Sequence, residues 1–146
     1  MVSRRGFLFS WLAGPLGACS DSSSDSAADQ VRERLVGTWL REYEEQGTRV
    51  RRILVLESGG NFEEMSTLQS PDTAEPQLAQ GSGAWLYDGT NLKRRYARIN
   101  GQPPSAPVVP FVTFALRFPS RSQFVGVDHI RKREVSYHRV PEGTLP

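Results

Sequence analysis

Eight short runs of strand-forming composition follow one another from residue 36 onward, and they constrain the fold of this chain more than any other feature. Each run is rich in Val, Ile, Phe, Tyr, Trp and Thr, which suit a pleated, half-buried surface. Helical periodicity is confined to residues 27–35, where Val31 and Leu35 are one turn apart. The runs cover residues 36–45, 48–57, 61–68, 82–88, 91–100, 108–119, 123–130 and 133–140.

The links between these runs indicate how the strands are arranged. Most links are short and contain Gly, Asn, Asp or Ser, as do residues 58–60 and 88–89, and such links join neighbouring antiparallel strands. Two longer loops, 70–80 and 101–107, carry much of the proline. A meander of this kind has two open edges unless it closes on itself. We therefore predict an all-β fold, an eight-stranded antiparallel up-and-down barrel preceded by a short N-terminal helix.

Alternation within the runs predicts which side chains point into the barrel. Residues two apart in a strand share a face, so Trp39 shares a face with Tyr43, and Trp85 with Tyr87. In the sixth run, Thr113, Ala115 and Arg117 share the opposite face from its large apolar residues. The predicted inward aromatic set is Trp39, Tyr43, Phe62, Trp85, Phe114, Phe118 and Phe124.

The first eighteen residues have the order of an export signal. Arg4 and Arg5 precede an apolar run, and small residues then lead to Cys19, the only cysteine of the chain. The segment 7–18 is shorter than the roughly 20 apolar residues that a membrane-spanning helix needs, and a serine, a glycine and a proline interrupt it. We interpret residues 1–18 as a cleaved signal peptide.

Two short motifs in this segment resemble known export signals. The run Leu16-Gly17-Ala18-Cys19 closely resembles the lipobox of bacterial lipoproteins, which implies that Cys19 becomes the lipidated first residue and anchors the protein to a membrane. Residues 3–8 resemble the twin-arginine export motif, although Phe9 stands where that pattern often has Lys, and the general export route remains an alternative. Ser20 after the cysteine implies, in a diderm cell, the outer membrane facing the periplasm.

Composition after the signal divides the rest of the chain and excludes some functions. Residues 19–30 are mostly small and polar, so we predict a flexible lipid-anchored tether followed by one domain over residues 31–146. Arg4 and Arg5 are two of the 18 Lys and Arg, which leaves 16 basic and 16 acidic residues after cleavage. Overall basicity therefore gives no support to a nucleic-acid partner, and we expect none.

Several motifs in the strands resemble those of bacterial lipocalin-like domains. They are Gly37-Thr38-Trp39 at the first strand, Gly-Asn-Phe at residues 60–62, Gly-Ala-Trp at residues 83–85, and a terminal Tyr137-His138-Arg139. The resemblance covers about residues 34–141. It implies that Gly37, Trp39 and Arg139 serve barrel closure, with the arginine lying across the tryptophan at the closed end.

The sequence offers no assembled catalytic group. No Gly-x-Ser-x-Gly or phosphate-binding glycine loop occurs. The acidic pairs at residues 44–45 and 63–64 are adjacent, so the two carboxylates of each pair point to opposite faces of a strand. His129 and His138 fall in one predicted hairpin and suit a metal in principle, but no third ligand has recognisable spacing. We predict no catalytic residues, no metal and no cofactor.

The aromatic interior favours a binding function. We predict that the barrel binds a small hydrophobic or amphipathic ligand at its mouth. The alternative is a non-catalytic structural or protein-interaction lipoprotein of the cell envelope, with a filled barrel and partner contacts through loops 70–80 and 101–107. The candidate ligand-binding residues are Tyr43, Trp85, Arg94, Arg98, Phe114 and Arg117.

Overall fold

A closed barrel of eight antiparallel strands dominates the computed structural model, which describes residues 22–108 and 110–146. Each strand pairs with the next along the chain, and the last pairs with the first. The predicted all-β up-and-down barrel with a preceding helix is therefore confirmed. The elements are α1 (Ser22–Leu35), β1 (Gly37–Glu45), β2 (Thr48–Leu56), β3 (Asn61–Gln69), β4 (Gln77–Tyr87), β5 (Asn91–Ile99), β6 (Phe111–Ser120), β7 (Gln123–Asp128) and β8 (Arg133–Val140).

Helix α1 is longer than the sequence predicts. It begins at Ser22, so residues 22–26, which we assigned to the flexible tether and not to the predicted helix, are also helical. Leu35 is fully buried and anchors the last turn, and each residue added to an anchored helix gains a hydrogen bond. Asp25 in the first turn also suits the positive end of the helix dipole. The predicted signal peptide, residues 1–18, and Cys19 lie outside the described residues. Within the described ranges, no helix has both the length and the apolarity to cross a membrane.

Two strand boundaries also differ from the prediction. Strand β4 begins at Gln77 instead of 82, because residues 77–81 pair with the end of β3 although their composition is weak for a strand. The register there runs from Leu68 opposite Gln77 to Glu64 opposite Gly81. The predicted 70–80 loop is therefore shortened at its C-terminal side. Strand β6 begins at Phe111, three residues later than predicted.

The two ends of the barrel differ. Helix α1 lies at the end that carries the β2–β3, β4–β5 and β6–β7 turns: Arg32 donates a hydrogen bond to the Ser58 carbonyl at 2.9 Å, and Arg34 donates one to the Ser120 carbonyl. We call this the closed end. The opposite, open end carries the β1–β2, β3–β4, β5–β6 and β7–β8 connections.

The half of the barrel next to α1 is filled with apolar side chains. Trp39 meets Phe124 edge-on with ring centroids 4.7 Å apart, and Phe124 stacks on Tyr137 at 4.9 Å. Leu35 closes this core from the helix side. The other buried members are Leu54, Leu56, Phe62, Trp85, Leu92, Phe114 and Val135. Any space for a ligand therefore lies towards the open end.

Candidate functional site

The closed end is held by an arginine that lies over a tryptophan. Arg139 of β8 is paired with Trp39 of β1, and its guanidinium carbon lies 4.3 Å from the centre of the indole ring. The same guanidinium donates hydrogen bonds to the carbonyls of Val36, at 3.0 Å, and Arg34. The Trp39 indole N–H donates to the Leu35 carbonyl at 2.8 Å. This arrangement ties together the end of α1, β1 and β8, which is a structural role.

Gly37 makes this arrangement possible. Its φ is +134°, a region that side-chain-bearing residues rarely adopt. A Cβ at this position would overlap the Arg139 guanidinium. The position therefore requires glycine for both backbone and packing reasons.

A cavity of about 290 Å³ occupies the open half of the barrel. This volume is at the lower end of the range of small-molecule pockets, roughly 300–1,000 Å³. One side of its wall is apolar and includes Ile99, Val112 and Phe114. Among the described residues, the charged part of the lining consists of five arginines and one glutamate. The charged lining residues are Arg41, Arg52, Glu64, Arg94, Arg131 and Arg133.

Glu64 is the centre of a buried polar cluster in this cavity. Arg94 donates to one carboxylate oxygen at 2.6 Å, and the Tyr96 hydroxyl donates to the other at 3.2 Å. Arg52 Nε lies 3.6 Å from Glu64 Oε1 and donates to the Ser66 hydroxyl at 3.0 Å. Each of these side chains is inward-facing on β2, β3 or β5, so the barrel's own curvature brings them together.

The charges of the cluster are fixed by their neighbours. Burial alone would raise the pKa of Glu64, but the adjacent Arg94 and Arg52 outweigh it and hold the pKa below its usual value. Burial raises the pKa of Tyr96 to about 12, which keeps its hydroxyl protonated as a donor. The ion pair with Glu64 keeps Arg94 charged by raising its pKa despite the cost of burial. At neutral pH Glu64 and Arg94 are therefore charged, and Tyr96 is neutral.

Several polar groups in the cavity wall have no partner among the described residues. The Tyr137 hydroxyl and Arg94 Nε are buried without a hydrogen bond, and Tyr137 is close enough to Arg94 and Arg52 to interact with them electrostatically. Arg41 is only 8% exposed, and its guanidinium lies 3.9 Å from the centre of the Tyr43 ring. Of the ion pairs found in the described part of the chain, none involves Arg41.

The predicted ligand-binding residues are only partly brought together. Arg94 and Phe114 line the cavity, and Tyr43 lies beside it beneath Arg41. Trp85 lies instead in the filled half, where its indole N–H donates to the Glu57 carbonyl at 2.9 Å. It does not line the cavity.

Arg98 lies outside the barrel because of a β-bulge. Gly83 faces Tyr96 across the β4–β5 pair and Ser82 faces Arg98, so Ala97 is an extra residue. The alternation of faces shifts there, so Ile99 lines the cavity and Arg98, our ligand-binding candidate, does not. A Cβ at Gly83 would overlap the backbone of β5, so the bulge needs this glycine. The closely spaced glycines of β4 were the sequence signal for it.

Arg117 also lies outside the barrel. It points outward on β6 and forms an exposed ion pair with Glu134 at 2.9 Å. The two histidines do not face one another: His138 pairs with Gln123 and Leu40, whereas His129 lies in the β7–β8 turn. Within residues 22–108 and 110–146, no group of three or more His, Cys, Asp or Glu side chains is placed to hold a metal ion.

The sequence prediction missed most of the polar cavity. The missed polar lining residues are Arg41, Arg52, Glu64, Ser66, Gln80, Tyr96, Arg131, Arg133 and Tyr137. A signal for Arg41 and Glu64 was present, because Arg41 lies midway between Trp39 and Tyr43, and Glu64 follows Phe62 by two residues. Alternation thus placed charged residues on an inward face that we had described by its aromatic members alone.

A second, larger depression lies on the outer wall. It has a volume of about 790 Å³ and runs over the outer faces of β3, β4 and β5 to the β5–β6 loop. Small residues, among them Ser82 and Ala84, are part of its lining. Phe111, which is 57% exposed, and Pro104 form its border.

No protein-family model matches the chain, and no curated protein matches it significantly. The resemblances to lipoprotein signals and to lipocalin-like domains remain predictions from the sequence motifs.

Proposed function

We propose that this protein is an exported, membrane-anchored lipoprotein whose barrel binds a small amphipathic molecule with an anionic head group. The observation that carries the proposal is the cavity in the open half, where Arg41, Arg52 and Arg94 stand beside the apolar side chains of Val112 and Phe114. A pocket with an apolar wall and a few placed polar groups is typical of small-molecule sites. Arginine suits the recognition of carboxylates and phosphates because its planar fork makes two parallel hydrogen bonds.

Binding fits this cavity better than catalysis does. Glu64 is the only carboxylate among the described residues that line the cavity, and its pKa is held below the usual value by Arg94 and Arg52. A general base at neutral pH needs a pKa near 7. Glu64 is therefore a poor proton acceptor, and its role in this proposal is to hold the arginines in place.

The helix that precedes the barrel does not contact the mouth of the cavity through its last turn. Arg32 and Arg34 of α1 bind the closed end, where the chain enters β1, whereas the cavity lies in the open half. The lipobox and the twin-arginine motif support export, and Ser20 supports the outer membrane facing the periplasm in a diderm cell.

Substitution of the cysteine tests the anchor. We expect a Cys19→Ser variant to leave the membrane fraction while its circular dichroism still shows a folded β protein, because several acyl chains are needed for stable anchoring. The control is Ser20→Ala, which keeps the cysteine and should remain in the membrane fraction. Membrane association of Cys19→Ser equal to that of the unaltered protein would refute the lipoprotein assignment.

Filling the cavity tests the binding function. We expect anilinonaphthalene sulfonate, an anionic aromatic fluorophore, to bind with one saturable site per barrel. Val112→Trp places a large ring in the cavity and should abolish this site. The matched control is Thr113→Trp, the outward neighbour on the same strand, which should leave binding unchanged. Absence of saturable binding, or equal binding by both variants, would contradict the proposal.

A second candidate function is a structural or protein-interaction role in the envelope. The outer depression favours it, because Phe111 is exposed there and Pro104, from the 101–107 loop, lies at its border. A photoreactive group at Ala97, in the lining of this depression, would then give one main protein adduct in intact membranes. Phe111→Ser should abolish that adduct. An adduct that persists in Phe111→Ser, or no adduct at all, would favour ligand binding in the cavity.

A further inference from the structure

The charge balance of the cavity indicates how many negative charges a ligand should carry. Three inward arginines, Arg41, Arg52 and Arg94, are accompanied by one ionised carboxylate, that of Glu64. The cavity wall thus has an excess of two positive charges. The two arginines nearer the mouth do not add to this excess, because each has its own carboxylate: Arg131 lies 3.6 Å from Asp128, and Arg133 lies 3.5 Å from Glu45.

The unpartnered donors indicate the shape of the head group. Glu64 already occupies Arg94 Nη1, whereas Arg94 Nε and the Tyr137 hydroxyl are buried without a partner among the described residues. Arg41 adds a guanidinium that no carboxylate of the described chain neutralises. These donors come from three different strands, β1, β5 and β8, and face one small space. A head group with several oxygen acceptors pointing in different directions satisfies more of them than a planar carboxylate does.

The size of the cavity limits the rest of the ligand. About 290 Å³ is available, and the barrel below it is filled by Trp39, Phe124 and the stacked ring of Tyr137. A long acyl chain has no apolar channel to enter. A small ring or short chain against Val112 and Phe114 does fit the apolar side of the wall.

We infer that the cavity selects a compact phosphate-type dianion, as in a small phosphomonoester, over long-chain or monoanionic carboxylates. This inference rests on the proposed binding function and specifies its ligand class. Inorganic phosphate has the same oxyanion chemistry but no apolar part. The experiment therefore compares free phosphate with an organic phosphomonoester as the ligand. Two arginine charges in excess, three unpartnered donors and a short apolar wall all favour the organic phosphomonoester.

Isothermal titration calorimetry of the full protein, purified in a non-ionic detergent, tests the inference with defined probes. The probes are phenyl phosphate, inorganic phosphate, phenylacetate and dodecanoate. At about pH 7.5 a phosphomonoester is mostly doubly charged, because its second pKa is near 6. We expect the Kd of phenyl phosphate to be at least about tenfold lower than that of phenylacetate. Dodecanoate should not bind in the cavity.

Two variants link the preference to the named donors. Arg41→Gln should weaken phenyl phosphate binding about tenfold or more, and its control, Arg49→Gln on the outward face of β2, should not change it. Tyr137→Phe removes only a hydroxyl that forms no hydrogen bond within the described part of the chain, so it should keep the thermal stability of the barrel while weakening phenyl phosphate binding. Unchanged binding in both variants would overturn the inference.

The outcomes separate this inference from the proposed function. Equal affinity for phenyl phosphate and phenylacetate would overturn the dianion preference and leave an amphipathic-ligand site. Inorganic phosphate binding as tightly as phenyl phosphate would support the dianion preference and identify free phosphate as the source. If neither the four probes nor anilinonaphthalene sulfonate binds, the proposed function itself is wrong.

Discussion

Replacement of Glu64 by glutamine should destabilise the barrel strongly, because it removes the charge that compensates Arg94. The two side chains are 10% and 2% exposed, and their charged atoms are 2.6 Å apart. Removing one partner of a buried ion pair costs about 3–5 kcal/mol in free energy of unfolding. The glutamine oxygen can still accept a hydrogen bond, so we expect a value near the lower end, about 3 kcal/mol. Domains have total stabilities of about 5–15 kcal/mol, so this loss is large.

The effect should also depend on pH in a defined direction. The pKa of Glu64 is lowered in the folded state by Arg94 and Arg52. A carboxylate whose pKa is lower in the folded state stabilises the fold fully when the pH is above its pKa in the unfolded chain, here 4.5. This stabilisation is lost as the pH falls towards and through the pKa of the folded state. Glutamine does not titrate. The difference between the unaltered protein and Glu64→Gln should therefore be largest near neutral pH and shrink below about pH 4.5.

Urea unfolding followed by circular dichroism, at neutral pH and at about pH 3, measures both effects. The matched control is Glu63→Gln, which changes the neighbouring carboxylate on the outer face of β3 and forms no ion pair within the described residues. We expect that control to stay within about 0.5 kcal/mol of the unaltered protein. Equal losses for the two variants, or a difference for Glu64→Gln that is the same at both pH values, would refute an ionised buried pair.

Three further changes test other parts of the fold. Gly37→Ala should lower the free energy of unfolding by about 1–3 kcal/mol, because its φ is +134° and its Cβ would meet the Arg139 guanidinium, whereas Gly59→Ala, in open space, should be nearly neutral; thermal melting compares them. Trp39→Ala should cost about 3–5 kcal/mol, and an unchanged melting temperature would argue against the closed-end packing described above. Arg117→Gln should cost less than about 1 kcal/mol and leave phenyl phosphate binding intact, since its ion pair is exposed; weakened binding would contradict its outward position.

The barrel was predictable from the sequence because its signals are local. The alternation of side chains in the sixth run and the short polar turns do not depend on distant contacts. Boundaries that depend on a neighbouring strand were not predictable in this way. Residues 77–81 form a strand because β3 offers them hydrogen-bond partners. Residues 22–26 are helical because the buried Leu35 anchors the C-terminal end of α1.

The cavity was harder to predict than the barrel. Arg98 illustrates one reason. The extra residue Ala97 reverses the faces of the residues that follow it in β5, and the alternation rule does not predict where such an extra residue occurs. Glu64 illustrates another, because its inward position is tolerable only beside Arg94, which is 30 residues away in the chain. Which inward charges become neighbours depends on how the strands pair in the closed barrel. The pattern within a single strand does not predict it.

The central claim is that the open half of this barrel is a cationic cavity that receives an anion. Nitrogen-15 NMR of the labelled protein, titrated with phenyl phosphate, tests it most directly. We predict that the largest shifts fall on the guanidinium Nε of Arg41 and Arg94 and on the Tyr137 amide. Shifts confined to the outer depression around Arg95 and Phe111, with none at Arg41 or Arg94, would contradict the claim.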